Sequence, residues 1–89
     1  MKRFKFTKEG LPITSSYFDF DDKRVAAMGA AILSVSERYV EEYTLGNLKR
    51  ISIHAGDEIL VLSKIGENGV LSIWKKDYSR LSVMEISHE

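Results

Sequence analysis

The residue types that could carry chemistry are few and badly placed for it. His54 and His88 lie far apart, and neither has a neighbour at the spacing that would supply a nucleophile or a metal partner. His54 reads as a surface residue of a strand. Gly66-Glu67-Asn68-Gly69 has the look of a phosphate loop, yet it lacks the Lys-Ser or Lys-Thr pair and the following helix that would turn amides toward a phosphate. A hairpin turn explains it better. Glu37, Glu41 and Glu42 stand beside Arg38 on successive turns, the pattern of a solvated helix face rather than of metal ligands. No catalytic residue, metal site or cofactor is therefore expected, and the chain reads as a non-enzyme. Two binding chemistries stay open. Lys2, Arg3, Lys5 and Lys8 interleave with Phe4 and Phe6, which could grip a nucleic-acid strand by charge and stacking. The simpler reading is a strand with the two rings inward and the cations outward. Trp74 with Tyr39 could line a pocket of a small-ligand sensor.

Composition narrows the class. The 89 residues carry 13 Lys and Arg against 13 Asp and Glu, 44% hydrophobic residues and no cysteine. Balanced charge argues against general nucleic-acid affinity. The lack of cysteine removes disulfides and thiolate chemistry together and suits a cytoplasmic setting. The longest uncharged run, residues 25–36, is shorter than the ~20 residues of a membrane span, so no membrane insertion is expected. No linker or repeat divides residues 1–89, which are read as a single domain.

The elements follow from periodicity and turn residues. Residues 3–7 suit a strand, Lys8-Glu9-Gly10 a turn, and residues 11–16 a returning strand, with Pro12 favouring an edge. Asp19, Asp21 and Asp22 can cap and charge-complement a helix start near Asp21. The helix continues to Tyr43, where Leu45-Gly46-Asn47 supplies a glycine stop, a length of about 33 Å. Strands are expected over residues 49–54, 58–64 and 70–75, with turns at Ala55-Gly56-Asp57 and at Asn68-Gly69, both of whose residues tolerate positive φ. In residues 77–89, Tyr78, Leu81, Met84 and Ile86 suit a short helix, while Leu81 and Val83 also suit a strand; the helix is the expectation.

The helix is apolar over roughly half its circumference, more than one sheet requires. Val25, Met28, Ile32, Val35, Tyr39 and Tyr43 form a sector of large residues, expected to face the sheet. Ala26, Gly29, Leu33, Ser36 and Val40 form a neighbouring sector of smaller ones. Glycine inside a helix costs roughly 0.5 to 1 kcal/mol, so Gly29 should permit a close approach. The expected approach is by the same helix of a second copy; the alternative is that Gly29 lets the helix lie close on its own sheet. The strands point the same way. Ile59, Val61 and Ile65 face one side and Leu60 and Leu62 the other, so both sheet faces require cover.

The segments "KEGLPITS" and "DDKRVAAMGAAILSVSERYVEEYTLGNLKRISIHAGDEILVLSKIGENGVLSIW" resemble the Roadblock domain, the family of dynein roadblock-type light chains. The resemblance covers about residues 4–76 and rests on the Gly-Leu-Pro-Ile turn, the acidic start of an Ala-rich helix, the Leu-Gly-x-Leu exit and the strand ending in Leu-Val-Leu. It implies an α+β fold, a β-β-α-β-β-β sheet akin to longin and profilin-like sheets with a long central helix on one face. It also implies a homodimer or heterodimer in which central helices pack together and the following edge strands join. Carried over, it gives Ala26, Gly29, Leu33, Ser36 and Val40 a helix-helix role and Ile51, Ser52 and Ile53 an edge-strand role. Prokaryotic relatives often bind and regulate Ras-like small GTPases, and eukaryotic relatives act as adaptors in dynein and lysosomal scaffolds. The first expectation is thus a homodimeric module, open to higher assembly, that regulates a Ras-like GTPase. The alternative is a structural adaptor without GTPase preference. The family's first helix has no room before Lys2, so the sheet face opposite the central helix is expected to lack its usual cover, as in a minimal variant that assembles further or in a fragment of a longer chain.

Overall fold

The computed structural model describes residues 2–13 and 21–76. In chain order they form β1 (Lys2–Thr7), α1 (Asp22–Tyr43), β2 (Arg50–Ala55), β3 (Glu58–Ile65) and β4 (Gly69–Lys76). The strands make one antiparallel sheet in the order β1-β4-β3-β2. This is the expected α+β architecture with one correction. The returning strand of the opening hairpin is reduced, within the described residues, to a single bridge between Phe6 and Pro12. Pro12 offers no N–H, but its neighbours pair with β1: Thr7 donates to the Leu11 carbonyl at 2.8 Å, and Ile13 donates to the Lys5 carbonyl at 2.9 Å. Residues 14–16, the rest of that expected strand, and the expected tail helix lie outside the described residues.

Helix α1 begins as its acidic start dictates. Asp21 is the N-cap, and its Oδ1 accepts from the backbone N–H of Lys23 at 3.1 Å and of Arg24 at 3.4 Å. The far end stops where expected but by a different device. Thr44 leaves the helix with extended backbone while its N–H still donates to the Val40 carbonyl, and its Oγ1 then accepts from the Gly46 N–H at 3.0 Å. The described glycines in the left-handed region are Gly10, Gly56 and Gly66, so Gly46 does not act as a left-handed cap. The β3–β4 hairpin likewise forms with its positive φ at Gly66 rather than at Asn68-Gly69. Gly69 is instead required by proximity, since a β-carbon there would lie 2.8 Å from the Ile65 carbonyl oxygen.

Alternation along the strands gives the sheet two distinct faces. One carries Phe4 and Phe6 of β1, Val70 and Ser72 of β4 and Leu62 of β3; the core is these side chains packed with Ala26, Ala30 and Leu33 of α1. The Phe4 and Phe6 rings lie 5.6 Å apart, centre to centre. The helix therefore lies on the β1–β4 half of the sheet, with Val25, Leu48 and Ile51 closing the margin.

Candidate functional site

The two sectors of α1 are reversed relative to expectation. Ala26, Gly29, Ala30 and Leu33 are the buried positions of the helix, while Met28, Ile32, Val35, Tyr39 and Tyr43 are exposed. The reason is size. β1 sends two phenyl rings toward the helix, and only a face of small side chains lets the helix settle on them at normal packing density. Gly29 sits directly over Phe6, which is only 1% exposed. Its close approach is thus to its own sheet. Ala26, Gly29 and Leu33, expected at a helix-helix contact, are packed between the helix and its own sheet. Ser36 and Val40 are half-buried, and Ser36 borders an exposed apolar patch with Ala31, Ile32 and Val35.

The large residues make a continuous stripe along the outer flank of α1. Val35 is 68% exposed and Tyr39 66%, and the Tyr39 and Tyr43 rings meet at a tilt, 5.0 Å between centres. An apolar stripe of this length is unusual on a surface that stays in water. At its N-terminal end Met28 and Ile32 overhang β3, where a crevice of about 90 Å³ opens over Leu60, Leu62 and Ser72. It is too small for an ordinary metabolite, and neither Trp74 nor Tyr39 lines it, so it is not the pocket the sensor reading required.

Beyond β3 lies β2, an edge strand with no described partner on its outer side. Its geometry can be read from one bond. Lys64 donates its N–H to the Lys49 carbonyl at 3.1 Å, one step beyond the Arg50–Ser63 pair that begins the β2–β3 register. Hydrogen-bonded and non-hydrogen-bonded pairs alternate, so Ile51 and Ile53 spend their amides on β3 while Arg50, Ser52 and His54 turn theirs outward. Of the three expected edge residues, Ser52 is the one whose backbone faces outward. Ile51 and Ile53 instead direct half-buried side chains to the helix side of the sheet. The opposite edge is not equivalent, because residues 11–13 already pair along β1.

An ion pair fixes the helix against the sheet. Lys64 Nζ donates to Glu37 Oε2 at 2.6 Å, and Lys8 Nζ stands 4.0 Å from the same oxygen. The hydrogen bond from Lys64, reinforced by the charges of Lys64 and Lys8, holds the Glu37 carboxyl below its ordinary value against the opposing effect of burial. Glu37 is thus a structural tie, and no group of three or more metal-ligating side chains occurs among the described residues. Phe4 and Phe6 are buried, so the interleaved N-terminus follows the ordinary alternation and offers no stacking platform. No helix among the described residues is long and apolar enough to cross a membrane.

Comparison with known proteins agrees with this architecture. Residues 6–75 match the sequence model of the Roadblock/LC7 domain. A Roadblock/LC7 domain from Streptomyces avermitilis superimposes with a TM-score of 0.72 at 15% identity, over 84% of this chain and 64% of that one. MglB from Myxococcus xanthus does so with a TM-score of 0.77 at 15% identity, over 98% and 76%. The gliding protein MglB from Thermus thermophilus gives 0.70 at 9% identity, over 84% and 59%. The chain thus spans about three-fifths to three-quarters of these relatives. By sequence, no curated protein shows significant similarity to it.

Proposed function

Because this chain belongs to the Roadblock/LC7 domain family, we propose that it is a non-enzymatic homodimeric interaction module that binds and regulates a Ras-like small GTPase in the cytoplasm. The observation that carries the dimer is that α1 bares an apolar stripe on the flank that overhangs β3 while the next strand, β2, is an edge with alternate amides turned outward. A single two-fold axis beside β2 would join two β2 edges into a continuous sheet. The same axis would bring two α1 stripes together above it, covering Met28, Ile32 and Val35 and filling the crevice over Leu60. One operation satisfies both surfaces, which is why a second copy is a better occupant than two unrelated partners.

The GTPase half of the reading rests on the family, whose prokaryotic members often bind Ras-like GTPases. The test is a pull-down of the host's small GTPases, each loaded with GDP or with a non-hydrolysable GTP analogue. Capture that depends on the nucleotide supports regulation. Capture of none, or equal capture in both states, favours the adaptor reading instead.

A further inference from the structure

We propose that the sheet face opposite α1 is a second docking site, built for an acidic amphipathic helix of another protein. This surface is distinct from the dimer surface above. The strand registers set its residues in rows across the sheet: Arg3, Ile73, Val61 and Ser52 in one, and Lys5, Leu71, Ser63 and Arg50 in the next. A third row holds Lys75, Ile59 and His54. The central strands β4 and β3 thus supply an apolar floor, half-buried, while the outer strands β1 and β2 raise exposed cations on both sides. The hollow over β2, β3 and β4 measures about 510 Å³.

Three observations select the occupant. No carboxylate belongs to any of these rows, and Arg3, Lys5, Arg50 and Lys75 form no ion pair with a described residue, so the balanced charge of the chain is locally broken. β1 and β2 are three strand spacings apart, about 14 Å, which accommodates a helix of about 10 Å diameter between the cation rows. An apolar stripe on such a helix meets the floor while carboxylates on its flanks meet Arg3 and Lys5 on one side and Arg50 on the other. Nucleic acid fits poorly, because the rings of Phe4, Phe6 and Trp74 all belong to the other face. A lipid surface fits poorly as well, because the apolar residues form the floor of a hollow and do not project.

The test uses the full chain and a fluorescein-labelled helical peptide with a leucine stripe flanked by glutamates. Its lysine-flanked counterpart and phosphatidylcholine–phosphatidylserine vesicles serve as the comparison probes. Fluorescence anisotropy should show binding of the acidic peptide alone, weakened by salt, and the Arg3→Glu/Arg50→Glu double variant should lose about tenfold or more. The Arg3→Lys/Arg50→Lys variant should retain most of it, and Val35→Glu, on the dimer stripe, should leave it unchanged. Equal binding of both peptides, binding untouched by the charge reversal, or binding to vesicles without peptide overturns the proposal. Peptide binding that appears only after removal of residues 77–89 also overturns it and assigns the hollow to that segment.

Discussion

A β-carbon added to Gly29 would lie 2.5 Å from Cζ of Phe6, closer than folded proteins tolerate, and the Phe6 ring is buried at 1% exposure. The pair fixes how deeply α1 seats on the sheet. Gly29→Ala gains about 1 kcal/mol of helix propensity, but overpacking costs about 1–3 kcal/mol. The expected result is a lower urea midpoint, partly restored when Phe6→Leu is added in the same chain. A Gly29→Ala variant as stable as the parent would mean that Phe6 yields freely and that the seating is loose.

The same pair explains what was legible beforehand. Helix limits could be read locally, because Asp21 caps through bonds only two and three residues long and Thr44 lies beside the expected stop. The β2, β3 and β4 pairing was legible because alternating residues and short glycine turns leave little freedom of register. The facing of α1 was not. A helical wheel gives the width of an apolar arc, whereas the part that meets the sheet depends on side-chain sizes supplied from elsewhere in the chain. Here Phe4 and Phe6 supplied them: two large alternating rings on β1 call for small residues opposite, and Ala26, Gly29 and Ala30 answer. That signal was present in the sequence as a complementarity between distant segments. The device at the β3–β4 turn was missed for a different reason, since Asn68-Gly69 and Gly66 compete within one loop and only the register decides which takes positive φ.

With the large sector outside, the proposed dimer contact falls on Met28, Ile32, Val35 and Tyr39. Val35→Glu and Tyr39→Glu introduce charges at positions 68% and 66% exposed, where the isolated protomer should tolerate them within about 0.5 kcal/mol. In the dimer they would place like charges in an apolar contact. Light scattering should report a fall from dimer to monomer mass with unchanged far-UV circular dichroism. An unchanged dimer mass would remove the α1 stripe from the interface.

The edge of β2 makes an independent prediction. Ser52 directs its N–H away from β3, so Ser52→Pro deletes an outward donor without cutting a bond inside the sheet, and extended backbone accepts the ring. The proposed dimer should dissociate in this variant at concentrations where the parent pairs, while the stability of the monomer shifts by less than about 1 kcal/mol in urea titrations. Ile53→Pro differs, because it removes a ladder bond to β3 and should lower protomer stability as well. Equal behaviour of the two variants would contradict the bonding phase assigned to the strand.

The Glu37–Lys64 tie should shape the acid limb of stability. Glu37 is held below its ordinary value of 4.5 chiefly by the hydrogen bond from Lys64. A carboxyl lowered by folding contributes stability that is fully present above its unfolded value and disappears as pH falls through the folded one. The contribution should therefore be intact at pH 7 and shrink below about pH 4.5. Both side chains are about one-quarter exposed, which limits the tie to about 1 kcal/mol. Glu37→Gln should accordingly lower the urea midpoint at pH 7, and the gap between parent and variant should narrow as pH falls below about 4.5. Persistence of the full difference at pH 3 would mean that the loss arises from packing of the side chain and that the charge contributes nothing. A parent that becomes more stable on acidification through this range would reverse the assigned sign.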